Sequence, residues 1–328
     1  MKAVIVAGGG DGYATDLTRR IEAQGVPLVR VDPGDPEALR RELADADALL
    51  CNRLEPGDTA GATRLRLVQA LSAGADRVDP AAVPPGCTLC NLFGHEQAMA
   101  EWVLMAMLAL SRRLLAYDRR LREGDWAPGL PWEVELAGRV VATIGYGHIG
   151  RRVAELARAI GMEVVAATRS PSAERADGLR RLTALDELGG VLEEADFAVV
   201  AVPSTPETRA LVGAPELEAL GPDGYLVNVA RGDVVDERAL YEALRDGTIA
   251  GAALDVWYRY PRGGAPTLPS ALPFHELENV LMTPHVSGRT TGTQERRAAF
   301  LAEQLRRLAD GRPLENVLAV GPRETIDR

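Results

Sequence analysis

Lysine and cysteine are scarce in this chain of 328 residues, and each scarcity excludes some kinds of catalytic or metal chemistry. Lysine occurs once, as Lys2, so a mechanism based on a lysine Schiff base or a lysine general base is not expected. Of only three cysteines, Cys87 and Cys90 fall in a predicted extended segment, where side chains three apart point to opposite faces. A redox pair would need a helix N-terminus and a zinc site a second pair, so we expect small core residues and no metal.

Excess positive charge and long apolar runs are also missing. The net charge is −10, which argues against a nucleic-acid or anionic-membrane partner. No apolar run approaches the roughly 20 residues that span a bilayer, and the chain starts directly as a strand rather than with the layout of a signal peptide. We therefore expect a cytoplasmic protein, and its length and 46% hydrophobic content predict two globular domains.

Short apolar strands alternate with amphipathic helices over the first 95 residues, which is typical of an α/β unit with a parallel sheet. The predicted strands are 3–6, 27–31, 48–50 and 87–91, and the predicted helices are 16–24, 36–44 and 61–72. The glycines that follow the first strand lack a phosphate-binding spacing, so we interpret 7–12 as a flexible turn. From 96 to 121 the pattern predicts one long helix, apolar nearly all round and hence buried.

The most informative stretch is an apolar strand, 140–144, followed by Gly145, Gly147 and Gly150 and then by an amphipathic helix. This is the setting of a dinucleotide-binding loop, in which the first glycine allows a tight turn, the second lets the backbone approach a pyrophosphate, and the third lets helix and strand pack closely. The pyrophosphate would lie at the helix N-terminus. A doubly wound parallel sheet is predicted from this strand and from further strands at 163–167, 197–202, 224–229, 251–255 and 280–283.

The end of the second strand of this unit indicates which cofactor binds. An NAD enzyme usually carries Asp or Glu there, about 20 residues beyond the glycines, to bind the ribose hydroxyls. This chain has Thr168, Arg169 and Ser170, and no acid. The replacement favours a 2′-phosphate and therefore NADP(H) over NAD(H).

These motifs, together with segments 72–79, 228–236, 251–256 and 283–285, resemble those of the D-2-hydroxyacid dehydrogenases, in the same order and over nearly the whole chain. The resemblance implies an α/β protein of two doubly wound parallel-sheet domains. A flavodoxin-like substrate domain would be discontinuous, at 1–95 and 289–328, and a Rossmann cofactor domain would occupy 96–288, starting with the long helix 96–121. The resemblance also implies a homodimer whose contact includes that helix.

Site residues follow from the same resemblance. Arg231 would bind the carboxylate of a 2-oxo or 2-hydroxy acid in a bidentate manner, and His285 would exchange a proton with the substrate oxygen. The backbone amides of Ala73 and Gly74 would complete the carboxylate site. The residues implied to contact the cofactor are Gly145, Tyr146, Gly147, His148, Ile149, Gly150, Thr168, Arg169, Ser170, Pro203, Thr208, Val229, Ala230, Asp255 and Ser287.

One position departs from the family. A glutamate that holds the catalytic histidine and raises its pKa usually stands five residues after Asp255, but this chain has Tyr260 there. Either another carboxylate serves, with Glu276 the nearest candidate, or the histidine lacks an anionic partner and has a lower pKa. The formate dehydrogenases, a branch of the same family, also lack that glutamate. However, His95 stands where that branch has an asparagine, and the insert 261–273 is unlike its compact loop.

Two further polar residues are candidates for the substrate site. His95 is expected either to recognise a second polar group of the substrate or only to begin a helix, and Arg53 either contacts substrate or is a solvated loop residue. The predicted function is hydride transfer between NADP(H) and a 2-oxo or 2-hydroxy acid, as a D-specific 2-oxoacid reductase. Two alternatives stay open: a formate-like or other unusual-donor dehydrogenase of the same fold, and a non-catalytic nucleotide-sensing protein.

Overall fold

The computed structural model describes residues 1–7, 12–126, 132–172, 174, 176–261, 266–321 and 324–325. Packing divides the chain into two compact units, Met1–His95 with Arg289–Arg328, and Glu96–Gly288. Each unit contains its own seven-stranded sheet. Most of the predicted flexible turn, 8–11, and the part of the insert at 262–265 lie outside the described residues.

The first unit is built on a sheet with a parallel body and an antiparallel edge. Its strands are β1 (Ala3–Val6), β2 (Val29–Val31), β3 (Ala48–Cys51), β4 (Leu67–Ala70), β5 (Thr88–Cys90), β13 (Val317–Val320) and β14 (Glu324–Thr325). The order is β14-β13-β5-β4-β3-β1-β2, in which the parallel strands follow the 2-1-3-4-5 order of a flavodoxin-like sheet. Because β13 pairs antiparallel with β5, the C-terminal segment completes the sheet that the N-terminal segment begins.

Helices cover both faces of this sheet. Helix α1 (Gly12–Glu22) and helix α9 (Thr291–Asp310) pack on one face, and α2 (Pro36–Leu43) packs on the other. Local signals set their ends: Asp35 caps α2 by accepting a hydrogen bond from Ala38 N at 2.8 Å, and Gly311 ends α9 in the left-handed conformation at φ 68°. Each large aliphatic side chain buried between helix and sheet contributes about 2 kcal/mol.

The predicted helix at 61–72 is wrong, because its second half forms β4. All of Leu67–Ala70 is buried, and the strand pairs in parallel with β3 on one side and β5 on the other. A central strand that is covered on both faces is apolar without alternation, so its sequence resembles a short buried helix. Pairing with two neighbouring strands, which no local pattern reveals, decides the outcome.

The second unit contains a wholly parallel sheet. Its strands are β6 (Val140–Ile144), β7 (Glu163–Thr168), β8 (Arg181–Ala184), β9 (Phe197–Val200), β10 (Tyr225–Asn228), β11 (Gly251–Leu254) and β12 (Val280–Met282). The order β12-β11-β10-β9-β6-β7-β8 is that of a Rossmann fold, with β8 added to the six predicted strands. The strand order reverses between β6 and β9, which is where such sheets bind ligands. The predicted fold class, two doubly wound α/β sheets, is confirmed.

Alternation along β6 separates the two cores of this unit. Val140, Ala142 and Ile144 pack with α6 (Leu188–Leu192), α7 (Ala214–Leu220) and α8 (Glu237–Asp246), whereas Val141 packs on the opposite face. That opposite face is covered by α3 (Glu96–Ser111) and α5 (His148–Ala159). No helix in the described parts of the chain has the length and apolarity that a membrane crossing requires.

The single long helix predicted for 96–121 is also wrong. Helix α3 ends at Ser111, and a separate helix α4 (Leu114–Arg122) follows Arg113, whose φ of 46° is left-handed and breaks the hydrogen-bond ladder. α3 is buried along one side, but α4 buries no residue. Apolar composition alone predicted burial, whereas Leu114 and Leu115 of α4 are exposed on this chain.

Candidate active site

The glycine loop lies between β6 and α5, at the point where the strand order of the second sheet reverses. Gly145 has φ 101°, and a Cβ there would meet Ala201 O at 2.7 Å. A Cβ on Gly150 would lie 2.1 Å from Gly145 O, so only glycine lets α5 pack this closely on the turn. At Gly147 nothing lies within 4 Å of such a Cβ, so this backbone is open to a ligand. The three glycines therefore fit the turn, packing and close-approach roles that a bound dinucleotide requires.

The loop residues between these glycines differ in what they expose. The side chain of Tyr146 is buried in the core against α3, where burial raises its pKa, and Ile149 packs against the same core. The Tyr146 side chain is therefore turned away from the loop surface, whereas Ile149 is only half-buried. Gly147, the N-cap of α5, and His148 are exposed at the helix N-terminus, where unpaired N–H groups favour an anion.

The end of β7 carries the residues predicted to bind the cofactor's ribose. Thr168 is buried as the last residue of the strand, and Arg169 and Ser170 are exposed after it. A hydrogen bond from Thr205 and the positive charge of Arg169 hold the pKa of the Glu207 carboxyl below its usual range. The charge of Arg169 therefore reaches the loop that follows β9.

That loop is shaped by Thr208, one of the residues predicted to contact the cofactor. Its Oγ1 donates a hydrogen bond to Pro203 O at 2.6 Å and accepts one from Thr205 N at 2.8 Å. Pro203 itself is exposed. The hydroxyl of Thr208 thus fixes the path of the loop, and cofactor contact by Pro203 and Thr208 stays a prediction.

Arg231 follows β10 on a turn that Asn228 holds. The Asn228 side chain is buried, donates to Arg231 O at 3.0 Å and accepts from Ala230 N at 3.0 Å. Val229 and Ala230 are buried, and the Arg231 side chain is half-buried. A Cβ on Gly232 would lie 2.5 Å from Trp257 O, so glycine is required for this turn to pack against the residues that follow β11. The guanidinium is presented from a rigid backbone at a strand end.

His285 lies on the turn after β12, which Asp255 braces. The Asp255 carboxylate is completely buried and accepts hydrogen bonds from Thr283 Oγ1 at 2.5 Å, Val286 N at 2.8 Å and Ser287 N at 2.8 Å. These three bonds satisfy a buried charge that would otherwise be costly. His285 itself has φ 58°, in the left-handed region that residues other than glycine rarely occupy, and the bonds to Asp255 hold the residues on either side of it. The predicted contacts of Asp255 and Ser287 with a nicotinamide stay predictions.

Tyr260 faces the imidazole of His285. Its Oη lies 3.0 Å from His285 Nδ1 and 3.4 Å from Trp257 N, and the two ring centroids are 5.7 Å apart. Glu276, the carboxylate considered as a replacement, is exposed and lies 3.8 Å from Nε2 of its neighbour His275. A phenol therefore faces His285 Nδ1 at the place where the sequence lacks the usual acid.

In the first unit, the loop that carries Ala73 and Gly74 is held by two side chains. Asn91 Nδ2 donates to Ala73 O at 2.7 Å, and Ser72 Oγ donates to Gly74 O at 2.6 Å. The backbone carbonyls are thus used within the unit. Arg53 is exposed and forms an ion pair with Glu55, which agrees with a solvated loop position.

His95 is buried in the same unit, and its Nδ1 lies 3.0 Å from Arg297 Nη2. The three cysteines are also buried, and burial raises the pKa of the Cys51, Cys87 and Cys90 thiols to about 12. Across the described ranges, no cluster of three or more His, Cys, Asp or Glu side chains is arranged to hold a metal ion.

Three positioning residues, one in the first unit and two in the second, were not predicted from the sequence. Asn228 holds the turn of Arg231, Asn91 holds the loop of Ala73, and the Trp257 indole donates to Thr283 O at 2.8 Å next to His285. Asn228 and Trp257 stand inside motifs that were recognised, directly beside strand ends. A search for amides and indoles at strand ends could have found them, since such side chains need partners when buried.

An exposed helix N-terminus at the reversal point of a Rossmann sheet is what a dinucleotide requires. A guanidinium after β10 and an imidazole after β12, one strand apart, are groups that can bind a carboxylate and exchange a proton. The class of protein so defined is that of the nicotinamide-dependent dehydrogenases.

Comparison with known proteins narrows the class. The family model "D-isomer specific 2-hydroxyacid dehydrogenase, NAD binding domain" matches residues 104–287. A glyoxylate reductase of Thermococcus onnurineus (strain NA1) is 33% identical over 319 residues, which cover 88% of this chain and 90% of that protein. The chain belongs to the D-isomer-specific 2-hydroxyacid dehydrogenase family, whose members are NAD(P)-dependent oxidoreductases.

Two solved structures similar to this chain are of enzymes that act on different substrates. An NADPH-dependent glyoxylate/hydroxypyruvate reductase of Sinorhizobium meliloti is 28% identical, with a TM-score of 0.79 and coverage of 98% of this chain and 99% of that one. A formate dehydrogenase of Granulicella is 27% identical, with a TM-score of 0.78 and coverage of 95% and 85%. Both similar structures therefore agree with the fold and the family of this chain.

Proposed function

We propose that this protein is a D-specific 2-oxoacid reductase that uses NADP(H). The observation that carries the proposal is the pair of braced strand ends, where Asn228 fixes the turn of Arg231 and Asp255 fixes the turn of His285. Similarity to a glyoxylate reductase and to a glyoxylate/hydroxypyruvate reductase supports the same substrate class. A protein that only sensed nucleotides would have no need of two braced polar side chains.

Arg231 would bind the substrate carboxylate with its planar fork and polarise the adjacent carbonyl. His285 would give its proton to the carbonyl oxygen during reduction and take it back during oxidation. The nicotinamide, when bound, supplies or accepts the hydride at C2 of the substrate. The backbone amides of Ala73 and Gly74, as further carboxylate ligands, stay part of the proposal.

Tyr260 would form a hydrogen bond with His285 in both protonation states of the imidazole. A hydroxyl both donates and accepts, so Tyr260 Oη, 3.0 Å from Nδ1, can accept from an imidazolium or donate to a neutral ring. A carboxylate would favour the imidazolium, whereas a neutral phenol does not. Tyr260 therefore keeps the ring oriented without adding a negative charge.

NADP(H) is proposed on the strength of the β7 end. Arg169 and Ser170 are exposed there, where an acidic residue would repel a 2′-phosphate. The similar reductase of Sinorhizobium meliloti is NADPH-dependent, which supports the same choice.

A formate-oxidising activity is the second candidate, and Tyr260 in place of an acid is the observation that favours it. Oxidation of formate releases no hydroxyl proton, so it does not need a charged histidine pair. NADPH with a panel of 2-oxo acids, assayed beside formate with NADP⁺, separates the two candidates. Turnover of formate alone would contradict the reductase proposal.

A homodimer is proposed from the face shared by α3 and α4. Large apolar side chains are exposed along both helices, at 44–58% of their full area: Met105, Leu108, Leu114, Leu115 and Leu121. An apolar strip of this kind on a monomer marks an interaction surface. Sedimentation velocity should give twice the mass of the chain, and a monomer for Leu114→Glu/Leu115→Glu; a wild-type monomer would contradict the proposal.

A further inference from the structure

The insert 261–273 begins directly after Tyr260, whose hydroxyl lies 3.0 Å from His285 Nδ1. The Tyr260 side chain is 40% exposed, so packing in a core does not fix its position. A carboxylate at this place would be drawn towards an imidazolium by its charge, whereas a neutral phenol is not. The backbone that carries Tyr260 must therefore be held by other contacts within the second unit.

The two limbs of the insert are joined at its base. We call 258–260 the outgoing limb and 269–272 the returning limb. Arg259 N donates a hydrogen bond to Pro269 O at 2.9 Å, which closes the base of the insert directly before Tyr260. Any contact that holds the returning limb therefore also holds the backbone of the outgoing limb.

Both limbs are attached to the start of α8. Tyr258 Oη, in the outgoing limb, donates to Val235 O at 3.1 Å. In the returning limb, Ser270 Oγ donates to Glu237 Oε1 at 2.5 Å, and Ala271 N donates to the same oxygen at 3.3 Å. The Glu237 carboxylate thus accepts two hydrogen bonds from the returning limb, close to the carbonyl that holds the outgoing limb.

Ser270 links this carboxylate to the limb. Its side chain is only 4% exposed, and its hydroxyl also accepts a hydrogen bond from Leu272 N at 2.9 Å. A buried hydroxyl needs partners, and Glu237 and Leu272 satisfy its donor and one acceptor site. Beyond the limb, Phe274 is buried and stacks on Tyr258 with ring centroids 6.3 Å apart. The returning limb is therefore fixed by hydrogen bonds and by the aromatic ring that follows it.

We propose that Glu237 is a positioning residue, which holds the base of the insert so that the Tyr260 hydroxyl stays on His285 Nδ1. Its importance for the reaction rests on the proposed 2-oxoacid reductase function. The proposal joins two features of the chain, the tyrosine in place of a glutamate and the insert that follows it. Because charge does not draw the phenol to the imidazole, hydrogen bonds at the base of the insert keep it there.

The ¹⁵N spectrum of His285 tests this positioning without turnover. In protein labelled with ¹⁵N-histidine, the His285 signals are assigned by their loss in His285→Gln. Tyr260→Phe removes the hydroxyl and should shift the Nδ1 signal. We expect Glu237→Ala to shift the same signal and Tyr260→Phe to add no further shift in that variant. Ser270→Ala, which removes the donor to Glu237, should also shift it.

Two further variants on α8 are the controls. Glu237→Gln keeps an oxygen acceptor and removes only the charge, so it should retain the wild-type signal. Glu242→Ala removes an exposed carboxylate from the same helix and should leave the signal unchanged. A wild-type His285 signal in folded Glu237→Ala, or in Ser270→Ala if the former does not fold, would overturn the proposal. An unchanged signal in Tyr260→Phe would overturn it as well.

Kinetics measure the size of the coupling. Loss of one hydrogen bond reduces kcat/KM about fivefold, so we expect this loss with glyoxylate in Tyr260→Phe and in Glu237→Ala. The double variant should also lose only about fivefold, because both residues act on one contact. A loss of about 25-fold, the product of the two, would show that Glu237 acts independently of Tyr260 and would contradict the proposal. If the wild-type protein reduces no 2-oxo acid, the proposed function fails, while the His285 signal still decides whether Glu237 positions Tyr260.

Discussion

Tyr260 stands five residues after Asp255, where the family resemblance implies a glutamate. Its hydroxyl lies 3.0 Å from His285 Nδ1 and 3.4 Å from Trp257 N, so it links the His285 imidazole to the backbone after β11. A carboxylate at this place would attract the imidazolium, whereas a phenol can pair with the ring in either state. Tyr260 can therefore keep the His285 ring oriented without placing a negative charge beside it.

Restoring the charge should change the pH dependence. In Tyr260→Glu the carboxylate raises the pKa of the His285 imidazole, and reduction needs the protonated ring, so the falling limb of kcat/KM should move to higher pH by about one unit. Tyr260→Phe is the control, because it removes the hydroxyl without adding charge. A pH profile of Tyr260→Glu that coincides with that of the wild-type protein would show that residue 260 does not act on His285.

The burial of the three cysteines leads to a second prediction about single residues, which concerns the reactivity of their thiols. Burial raises the pKa of Cys51, Cys87 and Cys90 from 9.0 to about 12, so at pH 8 the thiolate fraction is about a thousandfold lower than in an exposed cysteine. The native protein should therefore resist Ellman's reagent, and the unfolded protein should release three equivalents.

The same shifts affect stability in alkali. A pKa raised by folding gives stability that is complete below pH 9 and is lost as the pH rises towards 12. The free energy of unfolding should fall over this interval, and less steeply in Cys90→Ala. Rapid labelling of the native protein at pH 8 would contradict the burial of these thiols.

Among the structural elements, the turn between β6 and α5 contains one glycine that folding requires and another that leaves space for a ligand. Gly150 is needed because a Cβ would lie 2.1 Å from Gly145 O, whereas a Cβ on Gly147 would meet no protein atom within 4 Å. Gly150 is therefore required by the packing of the protein. Gly147 is not, and its open backbone leaves room for a ligand at the N-terminus of α5.

The two alanine variants should therefore fail in different ways. Gly150→Ala should lose about 1–3 kcal/mol of stability through overpacking and so lower Tm by several degrees. Gly147→Ala should keep the Tm of the unliganded protein but weaken NADPH binding at least about tenfold, or 1.4 kcal/mol. Calorimetry of both variants checks the pair, and an unchanged Kd in Gly147→Ala would mean that the pyrophosphate does not approach this backbone.

The exposed Arg169 at the end of β7 leads to a prediction about the preference for NADPH over NADH. Arg169→Ala should lose at least about tenfold in kcat/KM with NADPH and little with NADH, because a guanidinium on a 2′-phosphate forms a charge-assisted hydrogen bond worth about 1.5–3 kcal/mol. Arg180→Ala, an exposed arginine just before β8, is the control. A wild-type preference of tenfold or more for NADH would contradict the choice of NADP(H).

At the scale of the whole molecule, much of the fold followed from local signals. Continuous apolar runs bounded by turns predicted the parallel strands, and the three glycines predicted the position of the dinucleotide turn. The strand β4 was mistaken for a helix, because a centrally buried strand lacks alternation and only pairing with β3 and β5 identifies it. The break at Arg113 was missed because a left-handed residue other than glycine gives no sequence signal.

The site was predicted less completely than the fold. Arg231, His285 and Tyr260 were identified by their places in motifs, but their supports were not. Asn228 bonds backbone atoms of its own turn, Asp255 bonds the turn after β12 some 31 residues further along, and Arg297 contacts His95 across 202 residues of sequence. Contacts that distant in sequence depend on the packed fold, so no local pattern carries them.

We propose that Arg231 and His285 together support the reduction of a 2-oxo acid by NADPH. The direct measurement is steady-state oxidation of NADPH by the wild-type protein with glyoxylate and hydroxypyruvate, beside Arg231→Gln, His285→Ala and the exposed control Arg238→Gln on α8. We predict turnover by the wild-type protein and the control, and a loss of at least about a hundredfold in kcat/KM in each of the other two. Wild-type protein that binds NADPH but oxidises it with none of these acids would contradict the account.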